Sequence, residues 1–112
     1  MNRVRMLLLF ASSATILSVA PAANAVDAAA AEALLKKSGC LKCHAVDRKK
    51  DGPAYKDVAA KYKGKADAEK TLTTFLTTNA KIKVDGEEEE HASLKTGKEA
   101  EARNVAAWIL SR

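Results

Sequence analysis

Cys40, Leu41, Lys42, Cys43 and His44 form one run: two thiols separated by two residues and followed at once by an imidazole. Cysteines at this spacing lie about one helical turn apart, so both sulfurs can add to the two vinyl groups on one edge of a porphyrin. The following His44 is then carried beneath the ring plane, where its imidazole can bind iron on one axial side. The run is the attachment signature of a c-type haem, with one haem held covalently by Cys40 and Cys43 and with His44 as an iron ligand.

Two other uses of a CxxC pair fit less well. A zinc site of the finger or ribbon type needs four ligands, and the whole chain holds two Cys and two His. A thioredoxin-like dithiol sits in a βαβ unit, whereas the flanks AAAAEALLKKSG and HAVDRKKDGPAYKD carry no β-branched alternation. Neither rival requires the His directly after the second Cys.

The first residues predict the compartment. Asn2, Arg3 and Arg5 make a basic start, Met6 to Val19 an apolar stretch, and Ala23-Asn24-Ala25 an A-x-A cleavage site. The strongly apolar run is shorter than the roughly 20 residues that cross a bilayer, and Pro21 with small residues follows it. The expectation is a signal peptide over residues 1–25, cleaved after Ala25, and export to the periplasm with no stable membrane anchor. Residues 26–112 then form one domain.

That domain has few aromatic residues and a core that is thin for its length, so a large flat apolar group suits it as a staple. Arg3 and Arg5 leave with the leader, which lowers the formal charge from +5 to +3, and two haem propionates bring the loaded protein near neutral. Such a balance makes no case for nucleic acid as a partner.

Four helical stretches must position the motif. Asp27 caps the first, Ala28 to Lys37, which places Ala31, Leu34 and Leu35 on one face and ends at Ser38-Gly39. Gly52-Pro53 turns into a second, about Tyr55 to Tyr62, closed by Gly64. A third starts near Asp67 and carries Leu72, Phe75 and Leu76, and the last, about Lys98 to Leu110, shows an apolar stripe at Ala102, Val105, Ala106 and Ile109. No strand is expected. Asn79 to Gly97, polar and with Glu87 to Glu90 in a row, reads as a loop whose glutamates make a solvated charged face.

With these segments in place, the chain resembles a class I monohaem cytochrome c of the short bacterial electron-carrier type. The likeness rests on the Ala-rich first helix, GCLKCHA at 39–45, GPAYKDVAAKY at 52–62 and VAAWIL at 105–110. It implies an all-α fold of about four helices around one haem c, the first and last helices crossing beside it. It further implies that Gly39 touches Trp108 and that the Pro53 carbonyl accepts a hydrogen bond from His44, which orients the imidazole and raises its basicity.

One departure stands out. Such carriers take a loop Met as sixth ligand, but both methionines here, Met1 and Met6, lie in the leader. Against the family's loop, His91 falls within about one residue of the expected slot, which makes it the candidate second axial ligand. The alternatives are a solvated His91 with iron left five-coordinate, or iron taking water, Asn79 or a lysine.

The resulting expectation is a periplasmic protein that passes single electrons, transforms no substrate, and acts as a monomer with redox partner proteins. Lys36, Lys37, Lys42, Lys49 and Lys50 cluster around the attachment site and suit an acidic partner. The alternative is a gas-binding or sensing haem protein whose sixth position is open or easily displaced.

Overall fold

The computed structural model describes Ser18 and residues 25–112, so the leader expected over 1–25 falls almost wholly outside the described residues. The elements run α1 (Ala28–Lys37), a 3₁₀ turn at Cys40–Lys42, α2 (Tyr55–Tyr62), α3 (Ala68–Thr77), β1 (Lys81–Val84), β2 (Glu87–Glu90) and α4 (Glu99–Leu110). Among the described residues no helix is long and apolar enough to cross a membrane.

Local chemistry explains the boundaries of α1. The Asp27 carboxylate accepts from the Ala30 backbone N–H at 3.0 Å, satisfying one of the donors a helix start leaves open. Lys36 and Lys37 occupy the last turn, where cations complement the helix dipole. Ser38 is the C-cap, and Gly39 follows at φ 75°, the left-handed conformation that stops a helix and that glycine adopts without penalty.

Helix α4 is the hub, packing against α1, α2 and α3. Its buried stripe of Ala102, Val105, Ala106, Trp108 and Ile109 joins Ala31, Leu34 and Leu35 of α1, Tyr55 of α2 and Leu72 and Leu76 of α3 in one cluster. Small residues on the facing stripes let the first and last helices approach closely. A polar clamp fixes that crossing: the Asp27 N–H donates to Asn104 Oδ1 at 2.9 Å, and Asn104 Nδ2 donates to the Asp27 carbonyl at 2.8 Å.

The segment expected as a loop contains a hairpin. Strands β1 and β2 pair antiparallel through a two-residue turn, Asp85-Gly86, with both residues at positive φ, 50° and 87°. Asp-Gly in that conformation is a favoured hairpin turn because its twist matches the flanking strands. Four consecutive glutamates make a poor strand alone, but the register sets Lys81 opposite Glu90 and Lys83 opposite Glu88, and Lys81 Nζ reaches Glu88 Oε1 at 2.9 Å. The glutamates are all exposed, as the charged-face reading expects.

Candidate functional site

The attachment motif leaves α1 through Gly39 and winds tightly. His44 N–H donates to the Cys40 carbonyl at 3.0 Å and Cys43 N–H to the same carbonyl at 3.2 Å, so one carbonyl gathers the turn and both cysteines sit on consecutive windings. Both thiols are free, Cys40 half-buried and Cys43 exposed. Burial pushes the Cys40 thiol above its ordinary range, with neighbouring Cys43 adding to the rise against a backbone hydrogen bond.

His44 is oriented by the segment that leads into α2. Its Nδ1 lies 2.7 Å from the Pro53 carbonyl. A carbonyl can only accept, so Nδ1 carries the proton and the Nε2 lone pair is left for a metal. The ring stacks on Tyr55 with centroids 5.0 Å apart and planes 17° apart. Backbone bonds from Gly52 N to Cys43 O at 2.7 Å and from Tyr55 N to Ala45 O at 2.9 Å sew the two segments together.

Gly52 read from sequence as half of a turn, and its steric role has no sequence signal. A Cβ there would lie 2.8 Å from both ring nitrogens of His44. Gly52→Ala is therefore expected to displace the imidazole and to cost about 1–3 kcal/mol as overpacking does. The melting temperature and axial spectrum of the loaded protein check this, and values unchanged from wild type would mean that the ring has room to move.

His91 follows β2 directly, and its backbone N–H extends the ladder to the Ala80 carbonyl at 2.7 Å. The side chain turns toward His44: the two ring centroids are 6.0 Å apart with planes tilted by 54°. The Phe75 ring of α3 also packs against the His91 ring, with centroids 4.7 Å apart. Burial first, and next the facing His44, lower the His91 pKa, which keeps the ring neutral near pH 7, the form that ligates metals. Asn79, a rival ligand from sequence, has its side-chain oxygen engaged by Ser93.

These residues pass a test of fit to a haem. Two imidazole–metal bonds of about 2 Å each, together with the depth of each ring, add to roughly the observed separation, leaving room for one ion. Buried polar atoms otherwise find partners, yet His91 Nδ1 and Trp108 Nε1 are buried with no hydrogen-bond partner in the protein. Both orphans belong to residues that the haem reading places at the cofactor.

A Cβ on Gly39 would meet Lys42 methylenes at 3.9 Å, and positive φ is what calls for glycine there. Trp108 packs edge-on to Tyr55, with centroids 5.8 Å apart, and the Arg112 guanidinium lies 4.5 Å from its ring centre. His44, Tyr55 and Trp108 thus form one chain of ring contacts, stacked and then edge-on, from the motif into α4.

Comparison with known proteins agrees with this arrangement. The profile of the family Cytochrome c matches residues 28–112. Cytochrome c-551 of Pseudomonas aeruginosa is 42% identical over 81 residues, covering 72% of this chain and 75% of its own length. Cytochrome c-552 of Hydrogenobacter thermophilus is 41% identical over 83 residues, 71% of this chain and 79% of its own. Among solved structures, the class 1 cytochrome MtoD from Sideroxydans lithotrophicus ES-1 is 48% identical and superposes with a TM-score of 0.74, over 78% of this chain and 97% of that one. With the helices, the CxxCH turn and the matched length all in agreement, the chain belongs to the cytochrome c family as a small class I monohaem electron carrier with one covalent haem c.

Proposed function

We propose that this cytochrome carries single electrons in the periplasm between redox partner proteins, with thioethers from Cys40 and Cys43 and with His44 and His91 as the two axial ligands. The bound haem supplies a one-electron ferrous–ferric couple, and no substrate is transformed. The observation that carries the ligand assignment is the facing pair of imidazoles, 6.0 Å apart, one of them held by a backbone carbonyl.

Each protein group then has a defined task. The Pro53 carbonyl takes the Nδ1 proton of His44, orients the ring and raises its basicity. Tyr55 walls one side of that ring, and burial pushes its phenol far above the ordinary range, so it stays protonated and neutral. Phe75 stands against His91 and helps to exclude water. Trp108 backs Tyr55 edge-on from α4. A thioether in the sixth position raises the potential of such carriers. A second imidazole in its place sets a lower one and selects partners accordingly.

The surface around the motif fits a docking face for an acidic partner. Leu41 is 41% exposed, and Lys36, Lys37, Lys42 and Lys49, which flank it in sequence, are exposed as well. An apolar centre with a charged rim is the usual anatomy of such contacts, the charges steering encounter. Lys50 plays another part than sequence suggests: its ammonium donates to the Leu41 carbonyl at 2.7 Å and braces the motif.

Electron paramagnetic resonance and optical spectra of the ferric protein near pH 7 test the ligand pair. The expected result is a low-spin signal of two imidazoles without the near-red band of Met ligation, and a high-spin spectrum would contradict it. Processing is tested by intact mass: the exported protein is expected to weigh as residues 26–112 plus one haem, and a membrane-bound species retaining residues 1–25 would overturn cleavage. The gas-binding alternative finds no support in the relatives, which are cytochromes c-551 and c-552.

A further inference from the structure

We propose that Asn79 and Ser93 form a clasp that positions His91 and sets how readily it leaves the iron, an inference that rests on the ligand assignment above. Asn79 is the first residue past the C-cap of α3 and takes positive φ, 48°, a conformation that asparagine tolerates and that ends helices. Its N–H donates to Ser93 Oγ at 3.0 Å, and the Ser93 hydroxyl donates back to Asn79 Oδ1 at 2.5 Å. One hydroxyl thus spans the open end of the hairpin, two residues beyond His91.

Position in the chain separates this clasp from the bonds that merely fold the segment. On the hairpin side, the last ladder bond joins His91 N–H to the Ala80 carbonyl. On the far side, buried Leu94 donates its N–H to the Leu76 carbonyl at 2.9 Å, and Lys95 N–H donates to the Ser38 hydroxyl at 2.9 Å, two residues before Cys40. Those far anchors keep the segment on the core whether or not the clasp is closed. Between Ala80 and Leu94, and among the described residues, the clasp supplies the hydrogen bonds that tie the stretch carrying His91 to the end of α3, beside the packing of Phe75 on the His91 ring. Where His91 swings away with its backbone, residues 91–93 move and the clasp opens.

The test is carbon monoxide binding to the ferrous holoprotein, which requires His91 to leave, compared for wild type, Ser93→Ala, Ser93→Thr, Asn79→Gly and the double variant Ser93→Ala with Asn79→Gly. A net hydrogen bond near solvent is worth about 1 kcal/mol, or roughly fivefold in an equilibrium. Ser93→Ala is expected to speed binding about fivefold, and Ser93→Thr, which keeps the hydroxyl, to restore the wild-type rate. Asn79→Gly preserves the positive φ while removing the acceptor and should also speed binding. The double variant should fall short of the product of the two singles, because both remove one interaction. If Ser93→Ala lowers the denaturation midpoint yet leaves the carbon monoxide rate at the wild-type value in a protein with the two-imidazole signal, the clasp is structural only and the inference is overturned alone. A wild type lacking the two-imidazole signal overturns the ligand assignment and the clasp together.

Discussion

Replacing both Cys40 and Cys43 with alanine is expected to yield a chain that retains no haem on a denaturing gel and does not reach the helix content of the wild type. The reason lies in how little else the core contains. Its large fully buried side chains are Leu35, Val105 and Ile109, with Tyr55 and Trp108 almost as deep. Domains of this size commonly draw on a staple because the apolar area they bury barely offsets conformational entropy. A covalently held haem adds a large apolar surface and cannot dissociate when the chain breathes, so the folded state is favoured at any protein concentration. Either single variant keeps one thioether and is expected to fold with a lowered melting temperature. Far-UV circular dichroism with haem staining is the measurement. A double variant with wild-type helicity and a cooperative melt within a few degrees of wild type would show that the four helices suffice.

The helices were legible because their signals are local. The Asp27 cap, the Ser38-Gly39 stop and the stripe from Ala102 to Ile109 each depend on residues within a turn or two, and the observed bounds follow them closely. The hairpin was missed because its evidence is split. Asp85-Gly86 and the alternation of Ile82 and Val84 argue for a turn and a strand, while Glu87 to Glu90 argue against a second strand. Pairing decides, since each glutamate of β2 that opposes a lysine of β1 exchanges repulsion along the run for attraction across it. Gly52 and Asn104 belong to another class. Their roles arise only when the chain returns on itself, Gly52 against the His44 ring within one short loop and Asn104 against Asp27, 77 residues away. Residue type and spacing alone do not say that either pair meets.

For the site, the attachment motif is legible in residues 40–44 and the Pro53 carbonyl follows from the resemblance to the cytochrome family, and the geometry places Nδ1 of His44 on that carbonyl. Tyr55 stacks on the His44 ring and Trp108 meets Tyr55 edge-on, contacts that residue types alone do not announce. Helix α2 begins two residues after Pro53, and that short link sets its first side chain at the His44 ring.

Removing the second imidazole is the remaining large effect. His91→Ala is expected to convert the ferric protein from low spin to high spin, to open the ferrous iron to carbon monoxide, and to leave the fold standing. The fold survives because the hairpin, Leu94 and the Ser38–Lys95 bond hold the segment independently of the ring. The spin state changes because no other strong donor takes its place: Phe75 beside it is apolar, and the Asn79 side chain is occupied by Ser93. His91→Met asks a finer question. A thioether raises the potential relative to imidazole, and an unbranched, flexible side chain can follow the same path toward iron. The expected outcome is a low-spin protein with the near-red band and a higher potential. Should His91→Ala stay low-spin with an unchanged potential, another residue fills the sixth position and the two-imidazole assignment fails. Should it become high-spin while His91→Met does not regain low spin, the ligand is right, and a thioether at position 91 does not reach the iron along the path the imidazole takes.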